Sequence, residues 1–304
     1  MTFDQVIKQI YTKSPLQKKK LESYLATQPR SFFKEANKFI SDYSGYLEAQ
    51  GVSFDYAINA YLKMCKDMVK SQIYFMKTEK YPLVDQDQAF EEVYDSQTEM
   101  HSFMVALALS QYLWKTHYEM FRHFQLSVKT MASGIRNYLE IGPGHGLYFK
   151  YALEHFGFIS SYHVVDISKT SLDMTKNIIS YFHLDKHDIS YVNDDMLNIS
   201  IDEKFDFITM GEVLEHVNFP QKLLLKLKSL LSENGIAFIS TCVNCPTIDH
   251  VYHFKSVIDI RKMIKQAGFD FVSEKVLPVE NLSMEEIVDR KITINYSAVI
   301  CHRK

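Results

Sequence analysis

Three shortages frame this chain of 304 residues. Cysteine is scarce: Cys65, Cys242, Cys245 and Cys301 are too few for the disulfide framework of a small secreted scaffold. Long apolar runs are missing. No stretch of about eighteen apolar residues offers a membrane span, and the opening MTFDQVIKQI lacks the basic, apolar and small-residue pattern of a secretory signal. Positive charge is not in excess either. The formal net charge is −3, whereas a dedicated duplex-binding protein needs a basic face to displace counterions from phosphates. What is present, 46% hydrophobic and 23% charged residues, is the composition of a folded chain rather than a disordered one. These features point to a soluble, reduced, cytoplasmic protein without a membrane span or a DNA partner.

Glycine is thin over the first 130 residues, and they read as helix. Ser14-Pro15 places an N-cap before a proline at the first helical position and opens a helix through Leu25. Phe33, Ala36, Ile40 and Tyr43 share a face of a second helix, Ser31 to Leu47. Ser53 caps a longer one in which Ala57, Ala60, Tyr61, Met64, Met68 and Ile73 follow a 3.6-residue period. Pro82 ends that pattern. A further long helix is predicted from Thr98 to Phe124, apolar over much of its surface and hence buried. Lys18-Lys19-Lys20 reads as a solvated helix face.

The texture changes near residue 135. The apolar runs NYLEIG, SYHVVDI, ISYVN, FDFITMG, IAFIST, FDFVSEKVL and ITINYSAVI alternate with helical stretches. That order predicts a doubly wound α/β sheet with right-handed crossovers and helices on both faces. The last two runs have only the short NLSMEEIVD between them, which suits a terminal strand inserted antiparallel. The expected organisation is an all-helical unit over 1–134 and a Rossmann-like, seven-stranded α/β unit over 135–304.

Ligands of such sheets bind at the carboxyl ends of the strands, and four motifs fall there. In LEIGPGHG, Gly142, Gly144 and Gly146 lie between a strand and a helix, so bare backbone can approach a ligand. A dinucleotide fingerprint needs its third glycine at the position held by Leu147, so a nucleoside without phosphates fits better than NAD. The same turn also fits a strand-to-helix connection without a ligand. Asp166 ends the second strand, where a carboxylate can accept both hydroxyls of a ribose; it also stands where a helix cap could, although Ser168 can take that role. VNDDML follows the third strand with acidic side chains suited to an adenine amino group. FDFITMGEVLEHV ends the fourth strand at Gly211, with Glu212, Glu215 and His216 beyond it.

Together these segments, over residues 137 to 270, resemble the class I S-adenosylmethionine-dependent methyltransferases. The part after the fourth strand is most similar to ubiquinone-biosynthesis-type small-molecule methyltransferases. The resemblance implies S-adenosyl-L-methionine as cofactor. It implies that Glu140 and the glycine loop face the methionine part, that Asp166 with Ile167 holds the ribose, and that Asp195 and Met196 address adenine. The Gly211 carbonyl region would then receive the methionine ammonium, with Glu212 also among the cofactor-binding residues.

A methyl on a sulfonium is already activated, so the enzyme must place a nucleophile in line and exclude water. A base is needed where the acceptor carries a proton. His216, His250 and His253 are the candidates, with His250 preferred because its loop should overhang the methyl; LEHV also serves as a packing and capping element in the family. Glu212, Glu215, His216 and a later histidine also resemble the metal-binding set of small-RNA terminal 2′-O-methyltransferases, but no metal is assigned here. Cys242-Val-Asn-Cys245 stands alone without a second pair and with Pro246 after it, and reads as a strand end. The helix carrying His101, Tyr112, Trp114, His117, Tyr118 and His123 is mainly core, with one edge forming a lid over the acceptor. Tyr94 and Met100 are expected nearest the cofactor. The expected activity is methyl transfer to a small-molecule acceptor, with a homodimer as the possible assembly. Aminopropyl transfer and cofactor binding without catalysis are the alternatives.

Overall fold

The computed structural model describes residues 1–82, 96–131 and 133–303. The N-terminal half contributes α1 (Phe3–Lys13), α2 (Pro15–Leu25), α3 (Arg30–Ala49), α4 (Phe54–Thr78), α5 (Gln97–Leu113) and α6 (Lys115–Met131). Ser14 caps α2 through the Gln17 N–H with Pro15 in its first turn, and Ser53 caps α4 through the Tyr56 N–H, as the sequence predicts. Helix α1 was not anticipated. It is signalled by a capping box in which Thr2 and Gln5 satisfy each other's backbone N–H.

The single helix expected from Thr98 to Phe124 is two helices. Trp114 takes an extended conformation between α5 and α6, with φ −119° and ψ 126°. Its indole N–H donates to the Tyr61 hydroxyl at 3.0 Å, and the Ser110 hydroxyl meets His117 Nδ1 at 2.7 Å across the break. Apolar periodicity could not reveal this, because both flanking helices are buried and neither glycine nor proline marks the corner.

The C-terminal half runs β1 (Asn137–Ile141), α7 (Leu147–Phe156), β2 (Ser161–Asp166), α8 (Lys169–Tyr181), β3 (Ile189–Asn193), β4 (Phe205–Gly211), α9 (Pro220–Leu230), β5 (Leu231–Val243), α10 (Val257–Gln266), β6 (Phe269–Pro278), α11 (Met284–Asp289) and β7 (Ile294–His302). These form one seven-stranded sheet in the order β3-β2-β1-β4-β5-β7-β6. Strand β7 lies antiparallel between β5 and β6, for example pairing Ser297 with Ser240 and with Lys275. The anticipated antiparallel insertion is thus present.

Two apolar clusters flank the sheet. One joins its inner face to the helices through Phe32, Tyr61, Phe124, Tyr138, Phe207 and Phe238. The other packs α9 and α10 on the opposite face through Leu224, Ile239, Phe254 and Ile264. Each fully buried side chain of this size contributes about 1.5–3 kcal/mol. Polar bonds fix where α6 sits: His123 reaches the Ser297 and Ser273 hydroxyls at 2.9 and 2.8 Å, and Asn295 donates to the Thr116 hydroxyl at 2.9 Å. With α6 anchored to the sheet, α5 is carried out over the strand tips.

Candidate functional site

The tips of β1, β2, β4 and β5 border one cavity of about 1450 Å³ among the described residues, larger than the roughly 300–1,000 Å³ of common ligand pockets. One wall is backbone. Gly142, Gly144 and Gly146 all have left-handed φ, +67°, +54° and +74°. A Cβ on Gly142 would lie 2.7 Å from Val213, and one on Gly146 would lie 2.9 Å from Ile178 and 3.1 Å from the Thr175 backbone. The alternating glycines are therefore required by conformation and by clearance together. Gly211 differs: its Cβ would meet Ser240 and Tyr148 only at ordinary contact distance.

Buried carboxyls flank the cradle. Glu140 accepts the Tyr138 hydroxyl proton at 2.5 Å, and burial pushes its pKa up to about 8. Asp166 accepts the Ser168 N–H at 2.8 Å, and burial raises its pKa to about 7 against the opposing pull of the Ser168 and Gly144 N–H groups. Ser168, not Asp166, caps α8, through the Ser171 N–H, which leaves Asp166 for the cavity. Ile167, Asp195 and Met196 also border the cavity. The Ile167 carbonyl accepts from Asn193, and one Asp195 oxygen is engaged by the Leu197 N–H at 2.8 Å.

The opposite wall is made of side chains. Glu212 holds a left-handed φ of +53°, pinned by its N–H to the Ser240 carbonyl at 3.1 Å, and its Oε1 is buried without a hydrogen-bond partner. Glu215 is fully buried and accepts the Thr241 hydroxyl at 2.7 Å. His216 Nδ1 lies 3.0 Å from the Asp249 carbonyl and 3.5 Å from its carboxylate. The His250 ring meets that of His216 edge to face at 4.7 Å, with His250 Nδ1 at 2.7 Å from the Cys245 carbonyl. Burial opposes a charge on His250, but the Cys245 thiol, Asp249 and Glu215 outweigh it and push its pKa up to about 10.

The structure brings Glu212, His216 and His250 to the cavity edge. His253 turns away from it: its Nε2 bonds Asn244 Oδ1 at 2.8 Å and its ring packs on Phe75 and Tyr81. Met100, Met104 and His117 line the helical side, where the lid edge was expected; Tyr94 lies outside the described residues. Asp249 was missed, because a lone aspartate in TIDHVYHF carries no periodic or spacing signal. Cys242 and Cys245 were read as a bare strand end, yet they stand against His250; the sequence signal was a histidine shortly after the CxxC.

The site suits an adenosyl sulfonium compound. Its glycine cradle offers bare backbone, the buried Asp166 carboxyl borders the cavity, and one Glu212 oxygen is buried without a hydrogen-bond partner. The family described as a methyltransferase domain matches residues 112–277, more than half of the chain. The chain belongs to the methyltransferase-domain family. Its sheet and cofactor cradle make it a class I methyltransferase that uses S-adenosylmethionine. This methyltransferase is 33% identical over 103 residues to the mitochondrial ubiquinone biosynthesis O-methyltransferase of Candida albicans, covering 34% of this chain and 31% of the relative. It is 31% identical over 107 residues to the Coxiella burnetii ubiquinone biosynthesis O-methyltransferase (strain Dugway 5J108-111), covering 35% and 43%. The methyltransferase thus spans less than half the length of either relative. Among solved structures, an O-methyltransferase family protein of Burkholderia thailandensis superposes with a TM-score of 0.56 at 14% identity, over 83% of this chain and 72% of that one. The mitomycin 7-O-methyltransferase does so with a TM-score of 0.53 at 10% identity, over 76% and 67%. These two show the fold. No helix among the described residues is long and apolar enough to cross a membrane.

Proposed function

We propose that this methyltransferase methylates a small, largely apolar metabolite held between the strand tips and α5. The carrying observation is the continuity of one cavity from the glycine cradle to a chamber walled by Met64, Met68, Met100, Phe103, Met104 and Leu107. Thioether side chains adapt to irregular apolar ligands, and the curated relatives are named for ubiquinone biosynthesis. S-adenosyl-L-methionine, when bound, supplies a methyl group already activated on its sulfonium.

The chain's own residues then divide the work. Asp166 accepts the ribose hydroxyls, charge-assisted bonds of about 1.5–3 kcal/mol each, beside Ile167. Glu140 and the backbone at Gly142, Gly144 and Gly146 hold the methionine portion, Gly211 and Glu212 take its ammonium, and Asp195 with Met196 frames the adenine. We assign the base for an acceptor proton to His216 in preference to the expected His250, because its Nδ1 side is held by Asp249. His250, whose Nδ1 is committed to the Cys245 carbonyl, supports the His216 ring from its edge. Residues 1–134 act as the capping unit, available for homodimer contacts, over the cofactor-binding unit of 135–304. Four free cysteines suit a reducing cytoplasm.

Mass spectrometry tests this directly. The full chain is incubated with methyl-labelled cofactor and panels of phenols, quinone precursors, hydroxylated lipids and RNA oligonucleotides. Labelled small molecules and S-adenosylhomocysteine are expected. Methylthioadenosine as product, label on RNA alone, or cofactor binding without turnover on any panel overturns the proposal.

A further inference from the structure

Beyond the cofactor cradle lies a cluster of which the methyl-transfer reading uses only His250, as an edge support for the His216 ring. Cys242, Cys245 and His250 are 1%, 8% and 6% exposed, and their ligand atoms all lie within 4.8 Å of one another. Cys242 Sγ stands 3.6 Å from His250 Nδ1. With metal–sulfur and metal–nitrogen bonds of about 2.3 and 2.0–2.1 Å, a tetrahedral zinc site has ligand-to-ligand edges of about 3.4–3.8 Å. The Cys242–His250 edge already has that length, and the other edges are within 4.8 Å.

The backbone holds it there. Asn244, between the two cysteines, has a left-handed φ of +49°, a conformation asparagine tolerates better than most residues. Three bonds fix this turn: its N–H donates to the Phe254 carbonyl at 3.1 Å, its carbonyl accepts the Thr293 hydroxyl at 2.7 Å, and its Oδ1 meets His253 at 2.8 Å. The Cys245 N–H is satisfied by the Tyr81 hydroxyl at 2.9 Å. Glu212 and Glu215 lie within 4.8 Å of Cys242, and Glu215 within 4.8 Å of His216 and His250, an arrangement that a divalent cation would balance. Soft thiolates with imidazole select zinc over magnesium or calcium.

We infer that Cys242, Cys245 and His250 form a zinc-class metal site with its fourth position open to the cofactor cavity. Cys245 and His250 border that cavity whereas Glu215 does not, and Glu215 is engaged by Thr241 behind Cys242. Binding replaces the Cys242 thiol proton and the His250 Nδ1 proton, released to solvent, with the cation, and exchanges the His250 Nδ1 bond to the Cys245 carbonyl for one to the metal. Three protein ligands plus an open position is the pattern of reactive rather than structural zinc. Only the occupant of that position, a hydroxyl or thiol of the acceptor, rests on the methyl-transfer reading.

Cobalt reports on the site. The full chain, stripped with a chelator and reduced, is titrated with Co²⁺ under argon. A thiolate-to-cobalt charge-transfer band saturating at about one equivalent and displaced by Zn²⁺ is expected. Cys242→Ser and Cys245→Ser should each lose the band or weaken binding at least tenfold, while Cys301→Ser should not change it. X-ray absorption of the zinc-loaded wild type should fit two sulfurs and two lighter ligands, a readout that needs no variant. A small added thiol should shift the cobalt band, and no shift would mean that the fourth position is closed. Absence of the band, its persistence in both serine variants, or a Cys242–Cys245 disulfide formed in preference to metal uptake overturns the site. S-adenosylhomocysteine calorimetry on the same preparation separates this result from the cofactor assignment, because either can fail alone.

Discussion

The two walls of the cavity are built on opposite principles. Along β1 and β2 the ligand surface is mostly backbone, forced open by Gly142, Gly144 and Gly146 in left-handed conformations, with Asp166 beside it. Along β4 and β5 it is side chain: Glu212, His216, Cys245, Asp249 and His250 crowd together, with Glu215 buried behind. Backbone can accommodate a constant ligand but offers little chemistry. Clustered titratable groups offer chemistry, and each depends on its neighbours' charge. The contrast supports the proposal that the first wall recognises the donor and the second handles the acceptor.

The sharpest way to break this division is His216→Gln. Turnover should fall by about 10²–10⁴ if His216 takes the acceptor proton, while calorimetric affinity for S-adenosylhomocysteine stays unchanged; a parallel loss of affinity would erase the distinction between walls. Gly142→Val tests the other side. A side chain at φ +67° directed at Val213 should cost at least about a hundredfold in S-adenosylhomocysteine affinity, near 2.8 kcal/mol, with the circular dichroism of the folded chain retained. Asp166→Ala should weaken the same affinity about tenfold, or 1.4 kcal/mol. In the wild type, affinity should decline as pH falls through about 7, because the raised pKa of Asp166 makes its carboxyl take up a proton there and a neutral acid accepts hydroxyl bonds less well. The variant's curve should lack that limb. Smallest is Ser168→Ala, which removes the α8 cap and should lower stability by about 1 kcal/mol in urea unfolding while leaving S-adenosylhomocysteine affinity within twofold.

The first wall was legible in the sequence because its demands are local. A residue that must take positive φ and admit no Cβ is written as glycine, and strand tips announce themselves by alternation of apolar runs. The antiparallel β7 was legible for a related reason, since no full crossover helix separates the last two runs. The break at Trp114 was not, because a buried corner between two apolar helices changes neither composition nor period. The second wall was legible only residue by residue. Asn244 sets the turn that gathers Cys242, Cys245 and His250, and its left-handed φ depends on bonds to Phe254, Thr293 and His253, contacts made by the fold rather than by spacing. Asp249 faces His216 across separate segments for the same reason.

Burial of Asp166 and Glu140 has a thermochemical outcome. Burial raises the pKa of Asp166 to about 7 and that of Glu140 to about 8, so a hydroxyl-donating or cationic guest should favour loss of their protons near neutrality. On the proposed assignment of these two residues, docking of the donor should expel hydrogen ions into the medium. The heat recorded for one and the same association will differ between phosphate and Tris by an amount set by their ionisation enthalpies.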